Sequence, residues 1–272
     1  MADPNRPWAF AAYPRLAWTW CRAMAQYPAS LAMFTLTSCA AACTELAAVF
    51  ILFAHAGRIS GFGITDALLF YGLAAVTFGT TDFLMGSVER LGNHIRTGTF
   101  DTMLVRPVSP LVQLATDEFS PRRLGKVVPA AISLGYALAH LDVAWTPARA
   151  AAVPLLIGCG IVICGSIWTI GSCIQFFVTE AGEVANSVTY GGQALTEYPL
   201  AIYGRGVVRA ATYVVPLAFV SWQPGLFLLG RADPLGMPAA LRYGPPVVAA
   251  VLAGLAVLVW RSGLRHYRST GS

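Results

Sequence analysis

Apolar stretches long enough to cross a lipid bilayer recur along this chain, and they leave few other folds open. Runs at about residues 30–56, 63–86, 122–140, 148–177, 207–229 and 244–261 each approach the roughly 20 helical residues that a ~30 Å hydrocarbon layer needs. With 56% hydrophobic and only 11% charged residues, the composition lies far from that of a soluble domain. No alternating ten-residue segments suggest a barrel. The expected fold is therefore all-α and integral to the membrane, with six transmembrane helices preceded by an interfacial amphipathic helix. Residues 1–28 form that N-terminal cytoplasmic segment and residues 29–272 the transmembrane domain, with no soluble domain. No internal repeat is visible, so the inverted-repeat signature of many secondary transporters is missing.

The N-terminal helix is read from residues 10–27. Arg15, Thr19, Arg22 and Gln26 share one face; Tyr13, Leu16, Trp20, Ala23, Met24 and Tyr27 share the other. Such a helix lies in the headgroup region, and Pro28 turns the chain into the bilayer. The start, Met1-Ala-Asp-Pro-Asn-Arg6, lacks the basic-then-apolar pattern of a cleaved signal peptide. Residues 178–206, with Glu180, Glu183, Asn186, Glu197 and Arg205, read as a polar, glycine-rich loop.

Residues 88–126 concentrate Arg90, Arg96, Arg106, Arg122, Arg123 and Lys126, out of 18 Lys+Arg residues in the chain. Positive charge between two apolar runs marks the cytoplasmic side. With both termini on that side as well, the outer side keeps only Arg58, Arg149, Arg231 and Arg242. The net charge of +5 fits a cytoplasmic face and anionic headgroups rather than nucleic acid. Within this stretch the preceding helix is expected to run on to about Arg96, and Thr97-Gly98 to break it. Thr99 would cap a short helix over Phe100 to Val105, with Asp101 near its positive end and Arg106-Pro107 stopping it. Ser109-Pro110 and Ser120-Pro121 read as two further helix starts. Phe100, Met103 and Leu104 would be the apolar knobs of a stiff helix held off the membrane. An ordinary basic loop that only sets topology is the other reading.

Candidates for chemistry are few. No phosphate-binding loop, HExxH, GxSxG or paired-carboxylate arrangement occurs, so no catalytic residues, bound cofactor or metal ligands are expected in this chain. The six cysteines form no CxxC, and five of them sit in apolar runs as unreactive thiols. Glu45 lies deep in the first run, with Ser38 and Ala41 sharing its small-residue face. It is either a pathway or subunit-interface residue, or a carboxylate hydrogen-bonded inside the bundle. Asp66 and Asp82 are expected near the two membrane interfaces. Pro216 and Pro224 would shape a broken, re-entrant segment on the outer side. No charged pocket that would name a ligand is legible in the spans.

Several patches resemble the permease subunit of ABC-2-type exporters. Residues Ile95-Arg-Thr-Gly-Thr-Phe-Asp-Thr-Met-Leu-Val-Arg-Pro107 are similar to that family's I-x-x-G-x-[FL]-D-x-x-L-x-[RK]-P loop. Tyr27-Pro28, Tyr198-Pro199, Tyr203, Pro216-Leu-Ala-Phe219, Trp222-Gln-Pro224 and the tail Gly263-Leu-Arg-His-Tyr-Arg268 add to it. The resemblance implies an ABC-2-type permease fold in the cell membrane. It implies two separate ATPase subunits carrying ATP and Mg, and a second copy or a related permease as partner. It also implies a coupling helix over 99–106, with Phe100, Met103 and Leu104 docking into the ATPase and Asp101 and Arg106 as polar anchors. Two other classes stay open from the residues themselves: a proton-coupled secondary carrier using Glu45, and a non-transporting membrane scaffold.

Overall fold

The computed structural model describes residues 11–178 and 182–267. Residues 1–10, Glu180 and Arg268, on which some of the expectations drew, lie outside these. Among the described residues the chain is helical, with one isolated bridge, Ile59 to Phe62, closing a tight turn.

The helices in chain order are α1 (Tyr13–Ala25), α2 (Pro28–Ala56), α3 (Ile64–Met85), α4 (Leu91–Arg96), α5 (Thr99–Val105) and α6 (Pro110–Thr116). They continue with α7 (Leu124–His140), α8 (Pro147–Cys173), α9 (Gly182–Thr196), α10 (Gly204–Tyr213), α11 (Trp222–Leu229) and α12 (Pro245–His266). Four helical stretches are long and apolar enough to cross a membrane: Pro28–Ala56, Ile64–Arg96, Pro147–Phe176 and Pro245–His266. The second of these includes a 3-10 turn over Gly86–Arg90 between α3 and α4. α7 is shorter, at 17 residues, with Pro129 inside it.

α3 is the central element, buried along most of its length from Asp66 to Thr81. Its neighbours lie close because small residues face them. A Cβ on Gly72 would sit 2.7–2.9 Å from the Cβ, Cα and backbone nitrogen of Leu134 on α7, so only glycine permits this helix-to-helix distance. α8 runs alongside in the same direction as α3, with Gly160 against Thr77 and Gly165 against Met85. α2, in contrast, buries only Ala42, Val49 and Phe53. Met33, Leu36 and Ile51 stand out from it at 59%, 69% and 62% exposure. In an aqueous protein such a face would be untenable; here it is surface for lipid or another subunit.

Two boundaries depart from the sequence reading. The segment read as a polar loop, 178–206, holds helix α9. The segment read as a fifth span, 207–229, is two short helices that meet after a sharp bend, 90° between Leu200–Tyr213 and Leu217–Leu229. Both ends of that segment lie at the same end of the bundle. Leu200 packs with Phe62 and Trp222, while Arg231 donates to the Gly61 carbonyl at 3.3 Å and pairs with Asp66 at 2.9 Å. The pair is bent too sharply to form one straight span. The bend falls at residues 214–216, where Pro216 cannot donate a helical hydrogen bond. Pro224 is not at a break: it lies in the first turn of α11, where a missing N–H costs nothing. α9 touches both the basic end and this segment, with Tyr190 beside Glu89 and the Thr196 carbonyl accepting from Ser221.

Candidate functional site

The basic end of the bundle is built as expected in outline. Gly98 adopts φ +70°, a left-handed turn suited to glycine, and ends α4 so that α5 can start in a new direction. α5 covers Thr99–Val105, followed by extended Arg106. Thr99 is the first helical residue rather than the cap. Its hydroxyl is within 2.9 Å of both His94 Nδ1 and Thr97 Oγ1, which staples the Gly98 turn from outside. His94 also reaches Asp117 through Nε2 at 3.1 Å, and Arg90 pairs with Glu118.

The side of α5 that faces outward is not the one expected. Phe100 is fully buried and Met103 nearly so, in one cluster with Val88, Leu91, Ile95, Leu114 and Trp260. The Phe100 ring lies 5.6 Å from Phe176 and 5.1 Å from Tyr267, and Phe176 lies 5.6 Å from Trp260. Leu104 is half-buried at the edge of the same cluster. The physical reason is competition: a large ring beside other aromatics at the end of α8 and α12 gains more from the chain's own interior than from water. These residues are not free knobs but the root of the helix. Asp101 likewise turns inward and accepts from the Tyr267 hydroxyl at 3.0 Å. Burial, and then that hydrogen bond, push the Tyr267 phenol up to about 12, so it stays a donor at physiological pH. What α5 and its flanks present outward is Asn93, Arg96, Thr102, Arg106 and Val105, the last 84% exposed.

Two glutamines that the sequence reading passed over fix this assembly. Gln113 donates to the carbonyls of Met103 at 2.8 Å and Val108 at 3.0 Å, satisfying the end of α5. Gln175 accepts from the Gly92 N–H and donates to the Glu89 carbonyl at 3.2 Å, tying the end of α8 to the start of α4. A buried amide near helix ends that lack their own partners was the available signal.

The second feature lies at mid-bundle. Glu45 of α2 is half-buried on a small cleft of about 50 Å³ shared by α2, α3 and α9. Tyr71, Phe78, Asp82 and Gln193 line it from α3 and α9, with Lys126, Trp168 and Glu89 at its margins. Asp82 is engaged by Arg123, which also donates to its backbone carbonyl at 2.8 Å. Ser38 does not reach this cleft; its hydroxyl donates to Phe34 and its Cβ packs toward Gly125 of α7. Ala41 is exposed on α2. The fold thus brings charged side chains together around a small cleft, which still names no ligand. The charges come from four separate segments, and only the fold assembles them. Thr189, Tyr190 and Gln193 of α9 line this cleft.

A helical bundle with several apolar helices of membrane-spanning length, and a short stapled helix at its basic end, fits a multi-pass membrane protein. The family model described as ABC-2 family transporter protein matches residues 39–271, and the chain belongs to that family. It is thus a multi-pass permease component of an ABC-type transporter, a class that transports rather than catalyses and works with ATPase partners. No curated protein matches the chain, nor does any solved structure.

Proposed function

We propose that this chain is the exporting permease of an ATP-driven complex in the cell membrane, with both termini cytoplasmic and two ATPase subunits docked on residues 88–126. ATP and Mg would bind on those partners, and a second copy or a related permease would complete the pathway. The observation that carries the reading is the double-sided α5. Its inner face is rooted by Phe100 in the rings of Phe176 and Tyr267, beside the ends of α8 and α12. Its outer face is an exposed strip ending in Val105 and Arg106. A short helix fastened in this way transmits displacement, because packed aromatic contacts move as a unit. A helix-in-groove contact on the outer strip would let ATPase closure move α8 and α12.

Six crossings follow if α7 counts as the third and α9, extended by the turn Leu200–Tyr203, as the fifth. α10 and α11 then form an outer re-entrant hairpin bent around Pro216. The outer side holds Arg58, Arg149, Arg205, Arg209, Arg231 and Arg242 of the 18 Lys+Arg residues, still the minority that the charge rule requires. α1 lies along the inner interface, with Trp18 65% exposed and the Tyr13 hydroxyl donating to the Leu84 carbonyl at 2.6 Å. The exposed flank of α2, including Ala41, is the surface for lipid or the second permease. The experiment is affinity isolation of the native complex and identification of its subunits. A co-isolated P-loop ATPase is expected; a chain that purifies alone from mild detergent contradicts the proposal.

A further inference from the structure

The elbow between α1 and α2 holds a pocket with a single charge. Met24 lines it from the end of α1 and Tyr27 from the elbow itself. Ser30, Leu31 and Phe34 line it from the first turns of α2, and Arg122 from the 3-10 turn before α7. Its volume is about 180 Å³, room for several waters at ~30 Å³ each. The Arg122 guanidinium carbon lies 5.0 Å from the centre of the Phe34 ring. That contact holds the group in place without consuming its N–H donors, which lie in the guanidinium plane. The neighbouring Arg123 takes Asp82, at 3.7 Å, and among the described residues no carboxylate pairs with Arg122. The position of Arg122 is fixed from below. A Cβ on Gly125 would meet the Thr35 carbonyl oxygen at 2.5 Å, so the start of α7 lies directly on α2 and sets the guanidinium over Phe34.

We propose that this pocket is a specific site for an anionic phospholipid, its phosphodiester held by Arg122 and the first part of an acyl chain lying against Leu31 and Phe34. The surroundings name the ligand. Beside the pocket, α1 exposes Trp18, as a helix lying in the headgroup layer does, and α2 exposes Met33 and Leu36, as a lipid-facing flank does. Where the two meet is the boundary between headgroups and acyl chains, and the anion at that depth is a lipid phosphate. The exposed Tyr27 and Ser30 add two hydroxyls to the rim. A soluble anion would gain the charge contact but leave the apolar walls wet. A zwitterionic lipid would bring a second cation up to Arg122. The anionic lipid satisfies both parts and bridges α1 to the bundle. The inference rests on the proposed orientation in one respect: the leaflet is then the inner one.

The test is native mass spectrometry of the full chain in neutral maltoside micelles, titrated with phosphatidylglycerol or with phosphatidylcholine of the same acyl chains. A saturable phosphatidylglycerol adduct is expected, tighter than any phosphatidylcholine adduct, and a large excess of inorganic phosphate should not displace it. Arg122→Gln should weaken it about fivefold, the loss of one basic contact near a membrane surface. Its melting temperature should stay at the wild-type value, because the side chain carries no ion pair. Ser30→Trp, which fills the pocket from α2 and leaves Arg122 in place, should abolish the adduct, and it decides the question if Arg122→Gln melts early. Arg265→Gln, on α12 and away from the pocket, should bind as wild type. No saturable adduct, equal affinity for the two lipids, displacement by inorganic phosphate, or unchanged binding in both Arg122→Gln and Ser30→Trp each overturns the proposal. The assay needs neither an ATPase nor a fixed orientation, so its failure leaves the permease reading standing, and failure to isolate an ATPase leaves this result standing.

Discussion

Phe100 is where a residue-level reading and the structure part company, and where a substitution separates them. A seven-residue helix bearing Phe100, Met103 and Leu104 has an apolar side, and spacing alone does not say whether that side meets the chain or a partner. The rings that capture Phe100 belong to Phe176 and Tyr267, 76 and 167 residues away, beyond the reach of any local pattern. Truncating a fully buried phenylalanine typically costs about 3–5 kcal/mol. Phe100→Ala should therefore lower the thermal stability of the purified chain. A wild-type melting curve for that variant, with ATPase binding lost, would return the side chain to the outer face. Glu45 was legible as a costly intramembrane acid, but its surroundings were not. Glu45→Gln should insert and assemble normally, measured as yield and monodispersity of the purified chain; loss of assembly would make it a structural carboxylate instead.

At the scale of elements, hydropathy located α2, α3, α8 and α12 well, because long apolar helices declare themselves by composition. It failed on α9 and on α10–α11 for one shared reason. The segment that holds α9 carries Glu183, Asn186 and Glu197 and so reads as a polar loop. A sharply bent pair that stays apolar, 207–229, reads as one straight span. Composition reports the surroundings of a segment, not whether it crosses. The Gly98 turn and the start of α6 at Ser109-Pro110 were legible because they depend on local backbone chemistry; Ser109, however, makes no side-chain cap bond. The α3–α7 contact gives a test at this scale. Gly72→Ala brings a methyl within 2.7–2.9 Å of Leu134, whose backbone cannot swing aside, and overpacking of this kind costs about 1–3 kcal/mol. The expected result is a lower melting temperature, whereas Gly135→Ala on α7, with open space around it, should melt as wild type. Equal behaviour of the two would contradict the close packing.

For the whole molecule the first question is which way the bundle faces. Single cysteines in a background lacking the native ones should divide cleanly with an impermeant thiol reagent on intact cells. Thr102→Cys should be protected, while Ala232→Cys and Arg209→Cys should react. Protection of Arg209→Cys with reaction of Ala232→Cys would restore a crossing through 207–229, and a full reversal would end the orientation.

The central claim is that this permease is worked by a separate ATPase through the outward strip of α5, with the inner face of that helix serving as its anchor. The most direct measurement compares wild type, Val105→Asp and Phe100→Ala at matched expression, scoring co-purified ATPase and thermal stability together. An exposed valine contributes little to folding, so Val105→Asp should keep the wild-type melting temperature. A charge buried unpaired in the partner's groove costs several kcal/mol, enough to lose the ATPase by well over tenfold. Phe100→Ala should lose stability first. Val105→Asp retaining the ATPase at wild-type level would contradict the claim and leave residues 88–126 with the role of setting topology alone.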